Sequence, residues 1–353
     1  MNSTQPIRWA AAAGVLAVVV LFIVQVVGRA ADPPLPSILA RYVDERARLT
    51  ADEKTRMRGG SAVTKLLDAD ASAEIAICGI VWVAAPVDRY LAAVRDIERL
   101  EKGGGFLVTK RISNPPRPED FEPLVLPGED IADLRDCRIG ACDLKLGAAA
   151  LGNLQKTVDW SRPSAADDVN KAFRTLALKY VTGYLEGGNS RLAVYRDSDR
   201  PTFVAKEFES LVARMPTLTE ERGDVRRYLL DYPAATLPDA ESFLYWQETS
   251  FGLKPTIRIS HLTIAPQSTG AIVASKMLYA SHYFWTALEV RALIPDPARG
   301  EGFWFVNVNR SRSDGLSGFK GKMVRGRVQA EAQKGMEAAL QLTKRNLEQG
   351  AVR

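Results

Sequence analysis

The two histidines of the chain, His261 and His282, are the residues best suited to acid–base chemistry. His282 lies in the densest aromatic stretch, Tyr279-Ala-Ser-His-Tyr-Phe-Trp285. A few polar groups among aromatic side chains are typical of small-molecule pockets. The pattern also fits a strand whose aromatics pack beneath a helix around an inert, hydrogen-bonded histidine, and both interpretations stay open. The pocket hypothesis assigns five ligand-binding residues: His261, Tyr279, His282, Phe284 and Trp285.

The sequence lacks the motifs that mark common catalytic and cofactor sites. No nucleophile-and-base arrangement can be read around either histidine, and no Gly-x-Ser-x-Gly, P-loop or G-x-G-x-x-G occurs. We therefore expect no cofactor. Catalysis by His282 or His261 ranks third, behind ligand binding and a ligand-free interaction role.

Basic residues cluster near the C-terminal end of the chain. Six of them and one acid, Asp314, carry a net +5, which equals the formal charge of the whole chain. Near a membrane, clustered Lys and Arg attract anionic headgroups by about 1 kcal/mol each. A solvated turn leading into a helix explains the cluster equally well. The residues assigned to an anionic surface are Arg310, Arg312, Lys320, Lys322, Arg325 and Arg327.

Cysteine spacing carries a second piece of chemistry. Cys137 and Cys142 flank Arg-Ile-Gly-Ala, and Gly140 would let the backbone turn tightly. In an oxidising compartment this spacing predicts a disulfide. Two free thiols, or half of a metal site, are the alternatives. A second Cys pair is missing, so the sequence excludes a zinc finger or ribbon, and we expect no metal. Cys78 lies in an apolar run and is expected in the core.

Residues 9–27 contain no charge over nineteen positions, with Arg8 before them and Arg29 after. This predicts a transmembrane anchor or a signal peptide within residues 1–31. We favour a single-pass anchor in the inner membrane with the following domain in the periplasm. Cleavage near Gly28-Arg29-Ala30, giving a periplasmic or secreted protein, stays open. Export argues against a nucleic-acid partner, despite a pI near 9.0.

The remaining chain reads as an α+β domain. A Pro-rich spacer and charged surface helix fill residues 32–60, and the domain proper spans 61–353. Apolar and β-branched runs predict strands from Glu74 to Val83 and a later meander of about five strands. A large, mostly helical insertion is expected at about 114–240. A long helix is predicted from about Phe319 onward.

This order resembles the helix-grip fold of START-like and polyketide-cyclase-like proteins. The resemblance rests on Ile75 to Leu100 and Tyr245 to Leu347, about half the chain. It implies an antiparallel sheet that wraps the terminal helix around a cavity for an apolar ligand. The chain also looks like an uncharacterised group of exported bacterial proteins, through Cys137-Arg-Ile-Gly-Ala-Cys142 and Tyr279-Ala-Ser-His-Tyr-Phe284, which implies no activity.

Together these patterns predict an exported or membrane-anchored envelope protein that binds or shuttles an apolar, lipid-like molecule. The alternative is a ligand-free protein that docks envelope partners through the same scaffold.

Overall fold

In the computed structural model of the protein, residues 33–215, 223–250 and 252–350 are described. The predicted membrane segment, residues 9–27, lies outside them. Within these ranges no helix is both long enough and apolar enough to cross a bilayer.

An eight-stranded antiparallel sheet is the centre of the fold, in the order β1-β2-β10-β9-β8-β7-β6-β3. Consecutive hairpins link β6 to β10, as the predicted meander requires. The strands are β1 (Val63–Leu66), β2 (Glu74–Val83), β3 (Phe106–Arg111), β6 (Glu241–Thr249), β7 (Thr256–Pro266), β8 (Ala271–Ala280), β9 (Phe284–Pro295) and β10 (Phe303–Ser313); β4 (Val194–Tyr195) and β5 (Thr202–Phe203) form a separate small hairpin.

Helices cover both faces of the sheet. They are α1 (Ser37–Arg41), which continues as a π-helical turn, α2 (Ala51–Arg58), α3 (Val87–Arg95), α4 (Ile97–Leu100), α5 (Gly128–Asp136), α6 (Ala148–Thr157), α7 (Ala165–Gly187), α8 (Val204–Ala213), α9 (Gly223–Asp231) and α10 (Gly318–Glu348). The α+β class and the antiparallel sheet with a C-terminal helix agree with the sequence prediction.

Alternation along the strands creates two apolar faces, because successive side chains point to opposite sides. In β10, Trp304 and Val306 pack on one side, whereas Phe303 and Phe305 pack on the other. The first, here called the insertion face, carries α1, α7, α8 and α9. The second, the terminal-helix face, carries α3, α4 and α10.

The terminal helix α10 lies against β1 and β2 at one edge of the sheet. Gly79 permits the contact: a Cβ atom there would lie 2.5 Å from Leu340 Cδ1 and 2.8 Å from Met336 Cγ. Leu340 and Leu347 are buried. Helix and strand are therefore in direct contact at this point.

The amino-terminal part of α10 is exposed. Phe319 and Met323 are 82% and 70% exposed. Val324 and Val328 are also exposed. The apolar side chains of these first turns therefore face solvent and do not pack against the sheet.

Residues 37–58 form only in part the surface helix that their charges predict: α2 is largely exposed, with Met57 as its one buried residue, whereas the segment before it packs into the core. Leu39, Tyr42 and Val43 are almost completely buried in the core of the insertion face. Charged residues occupy the opposite side of this segment, which explains why its composition misled. The segment is part of the folded unit.

Candidate functional site

A cavity of about 350 Å³ lies where β3 ends, beside the first residues of β6 and the end of α7. Its lining residues are Arg111, Ile112, Ser113, Asn114, Asp120, Leu185, Tyr232, Ser242, Phe243, Leu244 and His261. His261 is the one lining residue among the five assigned to a pocket from the sequence.

Strand pairing sets the surroundings of His261. His261 on β7 pairs directly with Lys276 on β8 and with Leu244 on β6. Residues directly opposite each other on antiparallel strands share a face of the sheet. This is the insertion face, across which α7 brings Tyr184. A buried lysine, a buried histidine and a buried tyrosine thus meet.

The three side chains form a continuous polar chain. Tyr184 Oη lies 2.9 Å from His261 Nδ1. Lys276 Nζ lies 3.3 Å from the same hydroxyl oxygen. It also donates to the Asn189 side-chain oxygen and to the carbonyl oxygen of Leu229, the latter at 3.5 Å. The chain therefore runs from a buried amine to a residue that lines the cavity.

Lys276 has no carboxylate within ion-pair distance among the residues described. Its Nζ instead faces two aromatic rings, 4.4 Å from the Phe208 centroid and 5.0 Å from that of Tyr184. Burial alone lowers the pKa of Lys276 to about 7, because the charged amine loses its hydration without a counterion. The amine can therefore change protonation state near neutral pH.

His261 and Tyr184 stay neutral under the same conditions. Burial, and then the charge of Lys276, lowers the pKa of His261 to about 3. Burial raises the pKa of Tyr184 well above its ordinary value. Tyr232 and Tyr228 complete an aromatic enclosure, with ring centroids 4.7 Å and 6.1 Å from that of His261. His261 thus offers a neutral imidazole.

The walls of the cavity are chemically divided. Ile112, Leu185 and Leu244 are apolar, and the Arg111 guanidinium stacks 4.1 Å from the centre of the Phe243 ring. The Asp120 carboxylate, also in the lining, already accepts from Ser113 Oγ at 2.8 Å and from the Arg117 backbone N–H at 2.7 Å. A cation at the edge and a neutral imidazole therefore accompany an apolar wall.

His282 lies elsewhere, in the turn between β8 and β9. Its Nε2 lies 3.0 Å from the carboxylate of the fully buried Asp130, and its Nδ1 lies 3.1 Å from the carbonyl oxygen of Asp143. Both ring nitrogens are therefore occupied. His282 connects α5 and the following loop to this turn and does not line the cavity.

Tyr279, Phe284 and Trp285 do not form one pocket with His282. The Tyr279 ring packs among Phe173, Tyr180 and Tyr195, and its buried hydroxyl finds no hydrogen-bond partner among the described residues. Trp285 Nε1 donates to the Asp314 carboxylate. Phe284 is the first residue of β9. Tyr283, with φ of 56°, turns the chain between β8 and β9, so the aromatic stretch is divided between two strands and does not form one.

The two basic residues on β10 are used internally. Arg310 is buried and lies 2.6 Å from the fully buried Glu74 carboxylate. Arg312 pairs with Asp70 at 3.2 Å and with Glu207 at 2.5 Å. Their charges are neutralised by these carboxylates, which corrects their assignment to an anionic contact surface.

The basic residues of α10 differ. Arg325 donates to the backbone carbonyl oxygens of Asp70 and Ala71. Lys322 and Arg327 are exposed to solvent. The side chain of Lys320 lies outside the described part of the chain.

Cys137 and Cys142 lie at disulfide distance, with their sulfur atoms 2.02 Å apart. Cys78 is buried, and burial raises the pKa of its thiol to about 11. In the ranges that the structure describes, no three His, Cys, Asp or Glu side chains are grouped as a metal site would require.

A second buried polar network, missed from the sequence, lies on the terminal-helix face. Arg291 donates to Glu289 at 2.7 Å and lies 3.5 Å from Glu101. Asn307 Nδ2 donates to the same Glu289 carboxylate, also at 2.7 Å. Desolvation raises the pKa of Glu101, whereas Arg291 and its hydrogen bonds hold the pKa of Glu289 below its ordinary value despite burial. The network joins β9, β10 and the end of α4.

Lys276 is the other residue that sequence reasoning missed. The sequence indicates it, because a lone lysine interrupts the otherwise apolar and small-residue strand Ala271–Ala280. Charged residues are almost never fully buried without a partner, so a lysine in such a strand deserved the same weight as the histidines.

Comparison with known proteins identifies no relative from which a function could be inferred. The chain matches no protein-family model, and no curated protein matches it significantly.

Proposed function

We propose that this is an exported protein that binds a small amphipathic molecule in the cavity beside His261. The observation that carries the proposal is the combination of cavity and lining. The cavity volume of about 350 Å³ falls within the range of roughly 300–1,000 Å³ found for small-molecule sites. Apolar side chains with a few convergent polar groups are the usual composition of such sites.

The polar groups favour a ligand with a hydrogen-bond acceptor. The bond between Nδ1 and Tyr184 leaves Nε2 as the His261 nitrogen for a ligand. The Arg111 guanidinium contributes positive charge at the lining. Ile112, Leu185 and Leu244 would contact an apolar body. A carboxylate or carbonyl compound with a short hydrocarbon part fits this arrangement.

The cavity lies between the strand edge and the insertion. The helix-grip resemblance implies a cavity between the sheet and the last helix, where Leu340 and Met336 approach Gly79 closely. We therefore propose a ligand with an apolar part, as expected from the sequence, but place its site beside His261 and not beneath the last helix. The helix-grip assignment itself stays a proposal.

We further propose that residues 9–27 direct the protein to the membrane and that α10 contacts an anionic bilayer. Exposed Phe319 and Met323 stand beside exposed Lys322 and Arg327. Apolar residues flanked by basic ones are typical of helices that lie in a lipid interface. This support comes from the composition and exposure of the helix.

Native mass spectrometry of the full-length protein tests ligand binding. Leu185→Trp should fill the cavity, whereas Lys171→Trp, at an exposed position of the same helix, is the matched control. We expect a co-purifying small molecule with the wild type and the control and its loss from Leu185→Trp. No bound molecule in repeated wild-type preparations, or equal occupancy in all three proteins, would contradict the proposal.

A further inference from the structure

We propose that Lys276 and Tyr184 set the tautomer of His261, so that the cavity offers a hydrogen-bond donor when Lys276 is charged and an acceptor when it is neutral. This proposal rests on the ligand-binding function given above. It adds regulation by pH to that same site.

The surroundings of Lys276 fit an ammonium group atom by atom. An ammonium has three donors and no acceptor. Three oxygen atoms lie within reach: the Tyr184 hydroxyl, the Asn189 amide oxygen and the Leu229 carbonyl. Asn189 Nδ2 donates to the carbonyl oxygens of Leu229 and Leu230 at 3.2 Å and 2.6 Å, which turns its Oδ1 toward Lys276.

A charged Lys276 therefore fixes the direction of the hydrogen bonds from Tyr184 to His261. The Tyr184 oxygen accepts from the ammonium, so its single proton is directed to His261 Nδ1, 2.9 Å away. A neutral imidazole carries one ring proton. That proton must then be on Nε2, and His261 presents an N–H donor to the cavity.

Loss of one proton from Lys276 reverses the direction of these hydrogen bonds. A neutral amine has two donors and one lone pair, and the donors can stay with Asn189 and Leu229. The lone pair then accepts the Tyr184 hydroxyl proton. Tyr184 in turn accepts from Nδ1–H of His261, and Nε2 becomes a bare acceptor.

In the described part of the protein, the other groups that face Lys276 carry no charge, so Lys276 is the titrating member of the hydrogen-bonded series. Phe208 of α8 contributes a ring, α9 contributes the Leu229 carbonyl, and Leu288 is the facing residue on β9. Tyr228 and Tyr232 lie against His261. Burial brings the pKa of Lys276 to about 7 and that of His261 to about 3.

The consequence for binding is a preference that changes sign. With Nε2–H present, a ligand carboxylate or carbonyl gains a hydrogen bond. With Nε2 bare, two lone pairs face each other in a buried site, which disfavours that ligand by about tenfold or more. Affinity for an acceptor ligand should fall as pH rises through the titration of Lys276.

Nitrogen-15 NMR of the imidazoles tests the tautomer directly in the full-length protein. The chain has only two histidines, and His261→Gln assigns their signals. We expect Nε2–H at about pH 5.5 and Nδ1–H at about pH 8.5, since these values bracket neutrality. Lys276→Arg should keep Nε2–H at both, and Lys276→Met should abolish the change. One unchanged wild-type tautomer at both values would overturn the proposal.

Calorimetry with octanoate separates this proposal from the function on which it rests. A carboxylate is ionised at about pH 5.5 and at about pH 8.5, so any change in affinity arises from the protein. Weaker binding at the higher pH, abolished in Lys276→Met, supports the coupling. Equal binding at both would overturn the coupling. If octanoate does not bind but the His261 tautomer changes clearly with pH, the carboxylate ligand is overturned, whereas the coupling of Lys276, Tyr184 and His261 is supported.

Discussion

His261 and Lys276 are direct partners across β7 and β8, and one tyrosine hydroxyl lies within hydrogen-bond distance of both side chains. Neither residue has an acidic partner within the described part of the protein. Placing an amine and an imidazole together in this way costs stability. Buried titratable groups without a counterion are typical of functional sites, which is why we propose the ligand site here.

The stability of the protein should increase with pH above neutrality. Lys276 has a folded-state pKa of about 7, below its unfolded value, so the unfolded chain binds more protons between these two values. In that window the free energy of unfolding rises with pH, by at most about 1.4 kcal/mol per unit from this residue. Urea denaturation of wild type and Lys276→Met should show the slope in the wild type and its reduction in the variant. Parallel curves would contradict this.

Tyr184→Phe should separate the two ends of the chain. We expect a loss of about 1–3 kcal/mol in the free energy of unfolding, because two buried polar groups lose a partner. The pH dependence of octanoate affinity should also disappear. Tyr180→Phe is the matched control. Tyr180 lies on the same helix as Tyr184, and its Oη donates to the Leu278 carbonyl oxygen at 2.7 Å. A control that also abolished the pH dependence would show that the effect is structural.

Asp130→Asn should destabilise the protein without altering the cavity. The carboxylate is fully buried and hydrogen-bonded to His282, and disturbing a hydrogen bond to a buried charged group costs roughly 1–3 kcal/mol. Denaturant unfolding measures the loss. Asp133→Asn on the same helix, where Asp133 pairs with Lys254 at the surface, should cost less than about 1 kcal/mol. Equal losses from both variants would argue against a structural role for the buried pair.

Cys137 and Cys142 should resist alkylation under native, non-reducing conditions. The loop they close is short, so the chain-entropy contribution is small, about 2 kcal/mol. Cys142→Ser should lower the free energy of unfolding by that order and leave Cys137 as a buried free thiol that alkylates only on unfolding. Modification of both cysteines in the native, non-reduced wild type would contradict the disulfide.

Phe319→Asp and Met323→Asp should weaken binding to vesicles that contain an anionic lipid. Both side chains are largely exposed on α10 beside Lys322 and Arg327. Flotation with phosphatidylglycerol-containing vesicles measures the effect, and neutral phosphatidylcholine vesicles should bind poorly. Leu342→Asp, at another exposed apolar position of α10, is the control. Binding that was insensitive to the first two changes would remove the bilayer proposal.

The sequence by itself determined the parts of the fold that depend on local pattern. The strand Glu74–Val83 was predicted to its ends, since a continuous apolar run bounded by polar and turn-forming residues is typical of a buried strand. The terminal helix was predicted within a residue of its start at Gly318. The meander and the insertion follow from the same periodicities and turn signals.

Only the tertiary structure decided which distant residues meet. His261 and Lys276 share a face because β7 and β8 pair in one register, and a slip of one residue would turn one side chain away. Tyr184 arrives from a helix distant in sequence. For the same reason His282, expected at the ligand, is engaged by Asp130 and Asp143, and Arg310, expected at the surface, is buried against Glu74. Local patterns report the type of each element, whereas pairing and burial decide its chemistry.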